Sequence, residues 1–156
     1  MLERARDVAR EAALEAGAAI RGFYNDEYTV RDKGEDNPLT DADLAADKIL
    51  ERHLRTAFPD FGWLSEETAD TPARLEKSHV WIVDPLDGTR EFTLGIPEFV
   101  VSVGLVIDGR AVVGVLYFGR NDPANFGSLE RAMLTLFQVS EGPKGPHRKC
   151  LCRRPY

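Results

Sequence analysis

Two alternating apolar runs joined by Asp108-Gly109 constrain the fold of this chain more than any other feature. From Phe99 to Ile107, Val101, Val103, Leu105 and Ile107 alternate with Val100, Ser102, Gly104 and Val106, and a second apolar run spans Ala111 to Phe118. A period of two sends successive side chains to opposite faces of a strand. Asp-Gly between two such runs suits a tight primed turn, whose central residues need positive φ. The sequence therefore predicts an antiparallel hairpin over 99–118. The small residues Ser102 and Gly104 on its second face would let a helix lie close.

Helical periods precede the hairpin. Val8, Ala12, Ala16, Ile20 and Tyr24 recur every fourth position over Leu2 to Tyr24, with Arg and Glu between them, which predicts an amphipathic packing helix. Glu27 to Arg31 reads as a short strand. Gly34 and Asn37-Pro38 mark a loop. Thr40 or Asp41 then caps a second helix, because a short oxygen-bearing side chain accepts from the free N–H groups of the first turn. Ala46, Leu50, His53 or Leu54, and Ala57 form its inner face, and Pro59 ends it. Short strands are expected at Gly62 to Glu66 and Val80 to Asp84, with a loop over Thr68 to Lys77. Helices on an antiparallel sheet give a layered α+β fold class.

The chain has 156 residues, 43% hydrophobic and 29% charged, with a formal net charge of -6. These values suit a globular core and oppose a basic groove for a nucleic acid polymer. A small anionic substrate remains compatible, because a bound cation inverts the local field. No apolar run reaches the length of a membrane span, and the charged segment MLERARDVAREAALEAG is expected to be helical, without the apolar stretch of a leader peptide. The expected location is the cytoplasm, with no membrane partner. The cysteines, Cys150 and Cys152, stand one residue apart, which is poor geometry for a disulfide and a weak zinc signal.

Four carboxylates stand out by position. Asp43 lies in the first turn of the second helix, Glu66 follows a short apolar run, Asp84 ends an apolar strand, and Asp87 lies in the turn behind it. Caps and turns favour such residues anyway. Carboxylates gathered at the ends of buried strands nevertheless repel one another and lose solvation, and a cation relieves both costs. Hard oxygen donors suit Mg²⁺ or Mn²⁺. In Asp84-Pro85-Leu86-Asp87-Gly88-Thr89, Pro85 fixes one φ. Leu86 would turn its side chain away and leave its carbonyl free, and Gly88 lets backbone N–H groups approach an anion. Thr89 could cap or hold a water.

These residues resemble the inositol monophosphatase superfamily. Asp84 to Thr89 match its D-P-[IL]-D-[GS]-T signature at every position. Upstream, KGEDNPLTDAD is similar to its lysine loop and T-x-A-D box, and LSEET to its E-E element. The resemblance covers roughly Leu2 to Tyr117. It implies a lithium-sensitive, Mg²⁺-dependent phosphatase that acts on a small phosphorylated substrate. Glu66, Asp84, the Leu86 carbonyl and Asp87 would hold metal. Asp43, Glu66 and Thr89 would be catalytic, with Thr89 and Asp43 positioning or activating the attacking water. Lys33, Gly88 and Thr89 would meet the substrate. Arg90-Glu91-Phe92 resembles the K-E-F of the CysQ-like 3'(2'),5'-bisphosphate nucleotidases, which favours 3'-phosphoadenosine 5'-phosphate over inositol monophosphate. A haloacid-dehalogenase motif fits less well, since D-P-L-D-G-T is one residue longer than D-x-D-G-T.

The later part of the chain departs from the pattern. The family's W-D-x-A-A motif, whose aspartate completes a second metal site, has no counterpart, because neither Trp63 nor Trp81 precedes an Asp. After Tyr117 the composition turns basic, which suggests a truncation or a shifted reading frame. The expected organisation is an α+β domain over 1–118 and a partly disordered basic tail over 119–156, with a short helix at Leu129 to Val139. A non-catalytic metal-binding remnant is thus a rival to the enzyme. Strands lacking a cover would favour a homo-oligomer.

Overall fold

The computed structural model describes residues 1–24, 28–32, 38–96, 98–119 and 133–138. Helix α1 spans Leu2–Phe23, strand β1 Val30–Asp32, strand β2 Pro38–Thr40 and helix α2 Asp41–Ala57. Strand β3 spans Gly62–Ser65, a 3-10 turn Pro72–Glu76, strand β4 His79–Asp87 and helix α3 Thr89–Thr93. Strands β5 (Phe99–Ile107), β6 (Arg110–Gly119) and β7 (Met133–Gln138) follow. Among the described residues, β3-β4-β5-β6-β7 form one sheet in that spatial order, and β1 and β2 form a separate antiparallel ribbon.

The hairpin forms as the sequence predicts. β5 and β6 pair from Phe99↔Gly119 to Ile107↔Arg110. Asp108 and Gly109 have φ of 48° and 75°, as a primed turn requires. The sheet is mixed rather than antiparallel throughout, because β3 runs parallel to β4 from Gly62↔Val80 to Ser65↔Val83. A parallel neighbour needs a long crossover connection, and residues 66–78 supply it.

The α layer covers one face of the sheet. Ala5, Ala9, Ala12, Ala13, Ala16 and Ile20 of α1 are fully buried, as are Ala42, Ala46, Leu50 and Leu54 of α2. They pack in one core with Trp81, Val101, Val103, Leu105, Val115 and Tyr117. The close approach is made on the helix side, contrary to expectation: α1 presents an alanine stripe, and a Cβ on Gly17 would lie 2.1 Å from the Tyr117 ring. Val100, Ser102, Gly104 and Val106 face the other way and remain only half-buried. Bulky side chains on the buried face leave room for a helix only where the helix itself is small.

Of the two alternatives for the inner face of α2, Leu54 takes the place and is fully buried, while His53 is half-exposed and its Nε2 meets a carboxylate oxygen of Glu15 on α1 at 2.6 Å. One further expectation changes. Residues 133–138 are a strand rather than part of a helix, paired with β6 from Val113↔Gln138 to Phe118↔Met133. An edge strand offers a row of open N–H and C=O groups, and pairing there outweighs the weak helical tendency of a short segment. The rest of the expected basic tail, with Cys150 and Cys152, lies outside the described residues.

Candidate active site

Register brings Glu66 and Asp84 together. Ser65 is the parallel partner of Val83, so the next residue on each strand emerges at the same carboxyl end. The Glu66 N–H donates to the Val83 carbonyl at 3.3 Å and extends the ladder by one bond. Carboxyl ends of parallel strands are where open α/β sheets receive ligands.

A bulge then brings Asp87 beside them. Asp84 pairs with Ser102 but Asp87 with Val100, so β4 takes three steps where β5 takes two. Trp81, Val83 and Pro85 point into the core, and Ile82 and Asp84 point out. Strict alternation would then place Leu86 outward and Asp87 inward. The extra residue reverses this: Leu86 is 2% exposed and Asp87 is open to solvent. Pro85, which has no N–H to give the ladder, falls inside the irregularity, where proline is tolerated in a sheet. Bulges re-aim side chains next to functional sites, and here the bulge sets Asp84 and Asp87 on one face.

Gly88 closes the turn with φ of 95°. A Cβ there would stand 2.6 Å from the Glu98 carbonyl oxygen and 3.3 Å from Phe99 Cα. Glycine is thus demanded by backbone conformation and by close approach to the start of β5. α3 is a single short turn of five residues beginning at Thr89.

Asp43 arrives from α2. Thr40 is the N-cap of α2, and Asp43 completes a reciprocal capping box with it. The Thr40 N–H donates to Asp43 Oδ2 at 2.8 Å, and the Thr40 hydroxyl donates to the same oxygen at 2.5 Å. These bonds and the positive end of the helix macrodipole compensate a carboxylate that is fully buried. Its other oxygen faces Thr89. Thr89 Oγ1 lies 2.8 Å from Asp43 Oδ1 and 2.8 Å from the Leu86 carbonyl oxygen. One hydroxyl proton serves two acceptors, so the hydroxyl is held in a fixed place and keeps lone-pair capacity to accept.

Burial first, and then the charges of Glu66 and Asp87, push the Asp84 carboxyl up to about 7. A hydrogen bond shared with Glu66 adds to the rise, and the Leu86 backbone N–H opposes it. No cation is among the groups acting on Asp84. The donor set of Glu66, Asp84, Asp87 and the Leu86 carbonyl is all hard oxygen, which fits a cation such as Mg²⁺ that keeps most of its waters. Among the described residues, no group of three or more His, Cys, Asp or Glu side chains is placed to hold a metal ion by itself. The case for a cation therefore rests on the hard-oxygen chemistry of these groups and on the charges of Glu66 and Asp87 that act on Asp84.

The structure therefore unites Asp43, Thr89 and Leu86 by hydrogen bonds, and Glu66, Asp84 and Asp87 by charge. Gly88 serves the turn, and Lys33 lies outside the described residues. Sequence reasoning missed Asp47 and Ser65. Asp47 is buried on α2, one turn beyond Asp43, and accepts a 2.5 Å hydrogen bond from the Ser65 hydroxyl. The available signal was spacing: a residue four after Asp43 shares its helix face.

A sequence model of the inositol monophosphatase family matches residues 1–142. The chain belongs to the inositol monophosphatase family. Inositol monophosphatase 2 of Solanum lycopersicum is 41% identical over 120 residues, covering 74% of this chain and 45% of that relative. The 3'(2'),5'-bisphosphate nucleotidase CysQ of Salmonella typhimurium is 42% identical over 124 residues, covering 75% and 47%. The extragenic suppressor protein suhB of Bartonella henselae has the same fold, with a TM-score of 0.75 and 34% identity over 92% of this chain and 52% of that one. The chain spans about half the length of the curated relatives it matches. Among the described residues, no helix is long and apolar enough to cross a membrane.

Proposed function

We propose that these residues form the metal-binding and water-positioning part of a phosphomonoesterase. The observation that carries the reading is the Thr89 hydroxyl, 2.8 Å from both Asp43 and the Leu86 carbonyl, on the turn that also bears Asp84 and Asp87. Glu66, Asp84, Asp87 and the Leu86 carbonyl would hold Mg²⁺ or Mn²⁺. When bound, the ion lowers the pKa of water and neutralises charge on phosphoryl oxygens. Thr89 accepts a proton of the attacking water in a hydrogen bond while its own proton points to Asp43. The buried Asp43 carboxylate, fixed by Thr40, holds Thr89 in that orientation and favours the water lone pair facing phosphorus. Lys33 is proposed to meet the substrate phosphate.

The proposed substrate is 3'-phosphoadenosine 5'-phosphate, on the Arg90-Glu91-Phe92 sequence behind the turn; inositol monophosphate is the alternative. The two relatives described above are nearly equal in identity, so the choice rests on that tripeptide. Lithium sensitivity and a cytoplasmic location belong to the same reading. A second reading is metal binding by these residues without turnover, the rival that the following test separates.

The test is phosphate release from both substrates with and without Mg²⁺, with Asp84→Asn as the control. Mg²⁺-dependent release that the substitution removes is the expected result. Cation binding without release from either substrate would select the second reading. Release unchanged by the substitution would overturn the assignment of Asp84.

A further inference from the structure

Asp47 is a carboxylate that the reading above does not use, yet it is 4% exposed beneath the site. Burial without a cation is costly for a carboxylate, and none is among the groups that act on it; burial, opposed by Ser65 and reinforced by Glu51, raises its pKa. Its partner is Ser65, itself 5% exposed, whose hydroxyl donates to Asp47 Oδ1 at 2.5 Å. The same hydroxyl oxygen accepts the N–H of Glu67 at 3.2 Å. The Glu66 N–H goes to the Val83 carbonyl at 3.3 Å.

The peptide groups on both sides of Glu66 are thus tied down, one to β4 and the other, through Ser65, to α2. Trp63 Nε1 donates to Thr68 Oγ1 at 3.1 Å and closes the turn further. A serine hydroxyl accepting the N–H two residues on is common at turns by itself. What exceeds a turn is the buried carboxylate that takes the serine proton and so leaves the serine oxygen committed to accepting from Glu67. Asp43 and Asp47, four residues apart on α2, then hold the two halves of the site from one rigid helix.

We infer that Asp47 and Ser65 act together as positioning residues that set the Glu66 backbone for cation binding. The inference rests on the proposed role of Glu66 as a ligand. Groups that orient a ligand typically change metal affinity 10–100-fold when removed, whereas a merely structural pair would change thermal stability and leave affinity alone.

The experiment is calorimetric titration of the whole chain with Mn²⁺, alongside thermal unfolding of each variant. Ser65→Ala and Asp47→Ala are each expected to weaken Mn²⁺ by roughly tenfold or more. The double substitution should be no weaker than the worse single one, because the two residues act as one unit. Asp47→Asn keeps an oxygen that can accept from Ser65 and should remain within about threefold of the original chain. If Asp47→Ala fails to fold, Ser65→Ala and Asp47→Asn still decide. Folded Ser65→Ala with unchanged affinity would overturn the inference while leaving the metal site standing, as would Asp47→Asn that binds tenfold more weakly. An unsubstituted chain that binds no Mn²⁺ would overturn the metal site and the inference together.

Discussion

Replacing Asp84 by Asn should stabilise the metal-free protein, and by an amount that depends on pH. The Asp84 carboxyl is pushed up to about 7 by burial and by Glu66 and Asp87; in the unfolded chain it titrates near 3.9. Between these values the native state holds a proton that the unfolded state has released. Stability from this group is therefore full below about pH 4 and is lost as pH rises to about 7. Each pH unit across that window is worth about 1.4 kcal/mol, so the full loss is at most about 4 kcal/mol, and solvent screening at a partly exposed group reduces it to about 2–3 kcal/mol. Asn has nearly the same shape and no charge. In a chelator at pH 8, Asp84→Asn should raise Tm by about 4–12 °C, taking about 2–4 °C per kcal/mol for a chain of this size. At pH 4 the difference should vanish. Mg²⁺ at pH 8 should cancel that difference at about 100 times Kd and reverse the order at about 1,000 times Kd, because a ligand stabilises the form that binds it, by about 2.7 and about 4.1 kcal/mol respectively. Differential scanning calorimetry at pH 4, 6 and 8 is the assay. A Tm difference independent of pH, or a variant less stable than the original at pH 8 in chelator, would refute the reasoning.

Two other outcomes follow from the packing. Gly88→Ala must hold an L side chain at φ of 95° with its Cβ 2.6 Å from a backbone oxygen; a loss of about 2–4 kcal/mol is expected, read by urea unfolding, and a loss below about 1 kcal/mol would show that β5 yields easily. The outer sheet face, with Ile82 41% exposed beside half-buried Val80, Val106, Leu116 and Phe118, should drive self-association; sedimentation showing one monomer at all concentrations would exclude it.

Legibility differed from residue to residue. Asp108-Gly109 announced its turn because two positive-φ residues in sequence leave few alternatives, and α1 announced itself through the four-residue period of Val8, Ala12, Ala16, Ile20 and Tyr24, which only a helix aligns. Thr40 was readable as one of two candidate caps, with Asp41, because capping is local; that Asp43 completes the box was not. Asp84 and Asp87 were visible as a pair, but their sharing of a face was not, since that depends on one extra residue in β4 relative to β5, and register belongs to two strands at once. Ser65 and Asp47 were missed for the same reason: 18 residues separate them, and neither carries a sign of the other. Residues 133–138 were assigned to a helix because the open edge of β6 cannot be seen from the segment that fills it.

From the sequence alone came the elements, their caps and turns, and the DPLDGT stretch with its family likeness, all governed by contacts a few residues apart. Tertiary structure alone decided that Glu66 lies beside Asp84, that a bulge turns Asp87 out to join them, and that Thr89 reaches Asp43 across 46 residues. A short stretch of chain fixes its own φ, ψ and hydrogen bonds. The meeting of charges from distant stretches depends on how strands register and helices pack, and that is settled only when the core closes.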